Sequence, residues 1–240
     1  KEKKGYRMSG LLSGKSRDLA CHGFCSSRHT LPTRVRDYSR WHRGRPKYAV
    51  WALGVDAPEV LRRFDSARAY LSKFLLTPYR RQPHITVFVC GFLTHASEYA
   101  DDYTFDQRMR HLRDLTEAQI APFELHIRGI SSFAAAPFLE VGDPAGGIQK
   151  LRRVLEETHS EIRMEPYTPH LTLGLYADCF EARILAEKMA SFQDDHPLPL
   201  PVNRLCLITY SPSEIAGPLT VDDRVDFMPR SYPLGRKGLP

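Results

Sequence analysis

The stretches PHITV (83–87) and PHLTL (169–173) share one pattern: proline, histidine, an apolar residue, threonine and a second apolar residue. Their apolar and β-branched content predicts that both are short strands. Side chains at positions i and i+2 of a strand point to the same face, so each stretch presents an imidazole beside a hydroxyl. These pairs are His84 with Thr86, and His170 with Thr172.

The sequence around the two motifs repeats weakly. A predicted strand, YAVWALGV (48–55), is followed by DAPEV and a helical pattern before the first motif. A second predicted strand, FLEVG (138–142), is followed by GDPAG and a helical pattern before the second motif. Internal similarity of this kind indicates a duplicated unit, and we expect the two copies to face each other across a pseudo-twofold axis.

Capping signals predict where several helices begin. Asp56 and Thr104 each precede an acidic or amide residue at the spacing of a capping box, and Asp178 precedes Glu181 in the same way. Further strands are predicted at FELHIRGI (123–130) and RLCLITY (204–210). The strands are not uniformly apolar, as they would be in a parallel sheet covered on both faces.

Two imidazoles and two hydroxyls that converge on one small volume suit a phosphodiester. One neutral histidine takes a proton from water or a ribose hydroxyl, while the other, protonated, donates to the departing oxygen. Thr86 and Thr172 donate hydrogen bonds to the non-bridging oxygens. This pairing predicts a bell-shaped pH–rate profile near neutrality, and the sequence leaves open which histidine is the acid. His95-Ala96-Ser97, in a polar stretch, is interpreted as a chance match.

Tandem PHITV and PHLTL strands in a duplicated strand–helix framework resemble the two-histidine (2H) phosphoesterases, which include RNA 2′,3′-cyclic phosphodiesterases, also called 2′-5′ RNA ligases. The resemblance covers residues 46–228, and its motif residues correspond to His84, Thr86, His170 and Thr172. It implies an α+β, bilobal fold with antiparallel sheets around a central cleft and helices outside. It also implies catalysis without metal or cofactor.

The resemblance implies action on RNA 3′ ends or on small cyclic or 2′-5′ nucleotides. Opening of 2′,3′-cyclic phosphates is the preferred hypothesis. The alternatives are a 2′-5′ phosphodiesterase or ligase acting on oligoadenylates or cyclic dinucleotides, and an RNA-binding module that has a cleft without turnover.

Five further residues are weaker candidates for substrate binding. An aromatic ring can stack on a base, and a guanidinium can pair with a phosphate, although packing or solvation explains each residue at least as well. These candidates are Tyr79, Arg81, Phe133, Tyr167 and Tyr210.

Charge is distributed unevenly along the chain. Residues 1–46 contain 12 Lys/Arg and 3 Asp/Glu, whereas residues 47–240 contain 22 and 25. We therefore expect a basic, flexible tail over residues 1–45, the catalytic domain over 46–228 and a short tail over 229–240. A slightly acidic domain favours phosphate binding in a pocket over the tracking of a long duplex.

Composition argues against several other classes of protein. The chain is 42% hydrophobic and 26% charged, and it lacks the roughly 18-residue apolar run of a membrane span. Five dilute cysteines indicate a reducing compartment, so a cytoplasmic location is expected. Neither association with a membrane nor an obligate protein partner is expected. Cys21, His22, Cys25 and His29 have zinc-ligating side chains but lack a second ligand hairpin, so no metal site is predicted.

Overall fold

The computed structural model describes residues 24, 27–162 and 166–228. The helices are α1 (Ser39–His42), α2 (Pro58–Tyr70), α3 (Phe105–Glu117), α4 (Gly147–Thr158) and α5 (Ala182–Ala190). The strands are β1 (Tyr48–Gly54), β2 (His84–Thr94), β3 (Asp102–Thr104), β4 (Phe123–Ser132), β5 (Pro137–Gly142), β6 (His170–Thr172), β7 (Leu198–Val202), β8 (Arg204–Tyr210) and β9 (Thr220–Asp226). A 3₁₀ turn covers Ser72–Phe74.

The strands form two sheets. The first has the order β3-β2-β1-β8-β9, and the second has the order β6-β5-β4-β7. Neighbouring strands are antiparallel except for the short parallel pair of β2 and β3. The predicted α+β class with antiparallel sheets is confirmed, and each histidine motif lies in a different sheet.

Both motif strands belong to the same kind of unit. In β1-α2-β2 and in β5-α4-β6, a helix connects two antiparallel neighbours, with Gly54 opposite His84 and Glu140 opposite His170. The third strand of each sheet comes from the other half of the chain. Strand β4 follows the first unit but pairs with β5, and β8 follows the second unit but pairs with β1. This exchange ties the two sheets together.

One continuous core joins the two halves. Leu53 and Ile85 of the first sheet and Leu139 and Leu171 of the second are buried in the same apolar cluster as Leu151 of α4. Burial of one such side chain stabilises the fold by roughly 1.5–3 kcal/mol. The core therefore fixes the relation between the two motif strands.

The capping predictions were right for only one helix. The side chain of Thr104 accepts from the backbone N–H of Gln107, and the amide of Gln107 closes the capping box at α3. The predictions for Asp56 and Asp178 were wrong. Helix α2 begins after Ala57 with Pro58 in its first turn, and α5 begins after Glu181, in both cases without a side-chain cap.

Three strands were missed because they lack an alternating β-branched pattern. Strand β3 has three residues, and β9 is rich in acidic residues. Strand β7 reads LPLPV, and proline is tolerated there because β7 lies at the edge of its sheet. In contrast, the strand predicted at the second motif (169–173) is shorter than expected, since only His170–Thr172 pair in the ladder.

The described part of the segment predicted as a flexible tail contacts the domain through its backbone. The backbone N–H groups of Thr30, Leu31 and Thr33 donate to the carbonyls of Phe180, Ala134 and Tyr176 at 2.9, 2.7 and 2.9 Å.

Arg45 is buried and pairs with Asp101 and Asp102. The basic composition of this segment did not indicate these specific partners, and its docked part begins well before residue 46.

No helix among the described residues is long and apolar enough to cross a membrane.

Candidate active site

The structure brings the four motif side chains together. His84 and Thr86 of β2 and His170 and Thr172 of β6 all line one cavity of about 330 Å³. The alternation of a strand explains why Ile85 and Leu171, between them in sequence, are fully buried in the core. The cavity therefore lies between the sheets, on the faces opposite those residues.

Both imidazoles are oriented by the same local hydrogen bond. Nδ1 of His84 lies 2.8 Å from the carbonyl of Gln82, and Nδ1 of His170 lies 2.7 Å from the carbonyl of Thr168. A carbonyl oxygen can only accept, so Nδ1 carries a proton in each ring. Proton exchange with a substrate is thereby assigned to Nε2, and the two halves present the same tautomer.

Burial lowers the pKa of His84 to about 4. The hydrogen bond to the Gln82 carbonyl opposes this shift, whereas the charges of Arg81 and His170 add to it. Removal from water disfavours the charged imidazolium, as does a neighbouring cation. His84 is therefore neutral at physiological pH and able to accept a proton.

Three of the weaker candidates line the same cavity: Tyr79, Arg81 and Tyr210. The guanidinium of Arg81 lies over the ring of Tyr210 at 4.1 Å from its centroid. The Nε of Arg81 is buried and has no hydrogen-bond partner among the described residues. Burial raises the pKa of both tyrosines, so their hydroxyls stay protonated.

A family model described as the 2′-5′ RNA ligase superfamily matches residues 56–214, which is more than half of the chain. The chain belongs to the 2′-5′ RNA ligase superfamily. This match confirms the resemblance to two-histidine phosphoesterases, and it supports phosphodiesterase or ligase chemistry in general terms. Comparison with curated protein sequences finds no match.

Solved structures show the same fold. E. coli LigT complexed with 3′-AMP is 15% identical, with a TM-score of 0.50 over 77% of this chain and 99% of that chain. A protein described as a phosphoesterase is 16% identical, with a TM-score of 0.50 over 76% and 99%. The TT0787 protein of Thermus thermophilus is 16% identical, with a TM-score of 0.49 over 77% and 100%. The first two support the superfamily fold.

Phe133 and Tyr167 contact the two His–Thr motifs from outside the cavity lining. The ring of Phe133 meets the imidazole of His170 edge-on, with 4.9 Å between centroids. The hydroxyl of Tyr167 donates to the carbonyl of Thr86 at 2.8 Å. Both residues therefore position catalytic candidates, and the structure does not place them against the space for a substrate.

Sequence reasoning missed two residues that hold β2 in place. Nη1 of Arg152 donates to the carbonyl of Val87 at 2.7 Å, and Glu161 accepts from the N–H of Val89 at 3.0 Å. Arg152 and Glu161 also pair with each other at 2.7 Å. These side chains bind backbone groups of β2 before the residues that pair with β3. Nothing in the local sequence signals these contacts.

Several lining residues were also missed. Trp41 comes from the segment predicted as a tail and lies outside the region matched by the superfamily model. The others are Tyr48, Val50, Val89, Ala136 and Leu175. For Tyr48 and Val50, strand alternation was an available signal, because both lie on the face of β1 opposite Trp51 and Leu53.

Of the four possible zinc ligands near the N-terminus, Cys21, His22 and Cys25 lie outside the described residues. His29 is described, and its backbone forms a bridge with Glu181. Within the described ranges, no group of three or more His, Cys, Asp or Glu side chains is arranged to hold a metal ion.

Proposed function

We propose that this protein is a metal-independent phosphodiesterase that opens 2′,3′-cyclic phosphates of RNA ends or nucleotides by acid/base catalysis with His84 and His170. The observation that carries the proposal is the matched geometry of two His–Thr pairs, from two sheets, around one cavity. Such a set provides both proton transfers and the stabilisation of phosphate charge.

His84 is assigned as the base because its lowered pKa keeps it neutral. Its Nε2 accepts a proton from water as the water oxygen attacks phosphorus. The bond between phosphorus and one ribose oxygen then breaks, and Nε2 of His170 gives that oxygen a proton. General acid and base groups typically contribute about 10²- to 10⁴-fold each.

The hydroxyls of Thr86 and Thr172 donate to the non-bridging oxygens, and Arg81 adds positive charge to the cavity lining. Opening a 2′,3′-cyclic phosphate yields a ribose 2′- or 3′-monophosphate. The E. coli LigT structure contains 3′-AMP, which is a nucleotide of that kind. The superfamily name also supports 2′-5′ linked substrates as the second candidate.

The decisive experiment compares the wild type with His84→Ala and His170→Ala on 2′,3′-cyclic nucleotides and 2′-5′ oligoadenylate, in excess chelator. We expect turnover to survive the chelator and to fall by about 10²-fold or more in each variant. His95→Ala is the matched control, since this exposed histidine belongs to a His-x-Ser triplet but does not line the cavity.

The substrate that turns over identifies the reaction. If the wild type turns over only the 2′-5′ oligomer, the cyclic phosphodiesterase assignment is wrong and the second candidate, activity on 2′-5′ linkages, replaces it. RNA binding without any turnover would favour the non-catalytic module, and loss of activity in chelator would refute the metal-independent mechanism.

A further inference from the structure

Trp41 places an indole ring at the edge of the cavity. It lines the same cavity as both His–Thr pairs, and it is 40% exposed, which is high for so large an apolar side chain. The chain has two tryptophans, and the other, Trp51, is fully buried in the core. Trp41 is therefore the tryptophan that a ligand in the cavity can reach.

The indole is held in place before any ligand binds. Its ring packs against Tyr48 and Phe92, with centroid distances of 5.1 and 4.9 Å. Nη2 of Arg45 donates to the backbone carbonyl of Trp41 at 3.0 Å. Arg45 is itself fixed by Asp101 and by its position over Phe92, 3.7 Å from the ring centroid. A ring fixed in this way loses little conformational entropy on binding.

The cavity lining combines two chemically different sets of residues. His84, Thr86, His170 and Thr172 provide the hydrogen-bonding groups for a phosphate. The cavity also has an apolar and aromatic lining, which consists of Trp41 of α1 and of Tyr48, Val50, Val89 and Tyr210 of the first sheet. A volume of about 330 Å³ lies at the lower end of small-molecule sites, which fits a single nucleotide better than a duplex.

We propose that Trp41 is the stacking platform for the nucleobase whose ribose carries the phosphate held by the two motifs. The segment before residue 56, which the superfamily model does not match, then contributes the preference for substrates that contain a base. This inference rests on the proposed function for the identity of the ligand. Stacking on an aromatic side chain is tolerant of sequence, so a preference for one base is not expected.

Fluorescence tests the contact without any turnover. Adding 3′-AMP to the full chain should quench the emission of Trp41, whereas inorganic phosphate should not. In Trp41→Phe, only the buried Trp51 emits, so the quenching should disappear. Failure of 3′-AMP to quench the wild type, while calorimetry shows that it binds, would overturn the proposal.

Calorimetry measures the size of the effect. Trp41→Ala should weaken the binding of 3′-AMP by about 5- to 150-fold, the usual range for loss of one stacking partner. Binding of inorganic phosphate should remain unchanged, and Trp41→Phe should be intermediate because it keeps a ring. Phe105→Ala removes another exposed aromatic residue that does not line the cavity, so it should bind as the wild type does.

Kinetics separate stacking from a structural role. Trp41→Ala should raise KM for adenosine 2′,3′-cyclic phosphate and leave the hydrolysis of a ribose 2,3-cyclic phosphate without a base unaffected. Equal losses on both substrates would show a structural role and overturn the proposal. If the wild type hydrolyses neither compound, the proposed function fails, while the fluorescence and calorimetry still decide whether Trp41 contacts a base.

Discussion

The two motif strands present the same chemical groups but are held in different ways. Strand β2 has 11 residues, and side chains from the second half of the chain take up its backbone groups at Thr86, Val87 and Val89. Strand β6 has three residues, lies at the edge of its sheet and pairs only with β5. There, the rings of Phe133 and Phe138 pack against His170 instead.

This difference shows which part of the duplication is retained. Each histidine donates Nδ1–H to the carbonyl two residues before it, so the pseudo-twofold holds within the motifs. It does not extend to the contacts that hold the motifs in place. These contacts are hydrogen bonds and an ion pair in one half and aromatic packing in the other. Chemistry constrains the groups that face the phosphate, whereas many kinds of packing can hold them there.

The largest expected effect tests whether the two threonines are equivalent. Thr86→Ala and Thr172→Ala should each lower kcat by about 10²-fold or more, because each removes a donor to the phosphate oxygens. The corresponding serine variants keep the hydroxyl and should recover most of the rate. Near-wild-type activity in one alanine variant would show that only the other half binds the phosphate.

A local loss of stability is expected at low pH where α3 of the first half packs against α4 of the second. His111, buried between α3 and α4, accepts from Trp51 and donates to the carbonyl of Leu155, and burial lowers its pKa to about 4. Between pH about 6.5 and 4 the unfolded chain binds more protons than the native one, so stability falls as the pH falls through this window. The loss is up to about 3 kcal/mol.

Chemical denaturation at several pH values measures this slope. His111→Gln keeps a polar side chain without a titrating ring, so its stability should depend less on pH than that of the wild type. Hydrogen exchange at pH 4.5 should show faster opening of α3 and α4 than of α5. Equal opening of all three helices would contradict a local effect of His111.

The pH profile tests the assignment of the two histidines. Since His84 must be neutral to act as the base, kcat/KM should stay constant down to about pH 4 and then fall about tenfold per pH unit, which gives the acidic limb of the profile. Arg81→Gln should move this acidic limb to higher pH, because the charge of Arg81 lowers the pKa of His84. Circular dichroism at each pH separates this limb from unfolding, and a limb near pH 6.5 in the wild type would contradict the assignment.

The smallest effects on activity are expected from residues that hold the motif residues in place. Tyr167→Phe removes one hydrogen bond to Thr86, and Phe133→Leu removes one aromatic contact with His170. Each loss is expected to reduce kcat by about 2- to 10-fold, because each contact contributes on the order of 0.5–1.5 kcal/mol. A 100-fold loss in either variant would mean that the residue contacts the substrate, contrary to its observed place.

The motif residues could be predicted because their signal is local. The alternation of a strand was enough to pair His84 with Thr86, and the repeat was enough to relate them to His170 and Thr172. In contrast, nothing local distinguishes Arg152 or Glu161 from other charged residues on a helix and a loop. Trp41 was overlooked because the prediction for residues 1–45 was based on their overall composition and not on individual side chains.

By itself, the sequence determined the α+β class, the duplicated strand–helix unit and the four groups of the candidate site, since these follow from the spacing of neighbouring residues. Only the tertiary structure decided that β4 and β8 exchange between the sheets, that residues 27–46 dock on the domain, and that Trp41 joins the cavity. These features depend on contacts between residues far apart in the chain, whose free energy is fixed by the packing of the whole core.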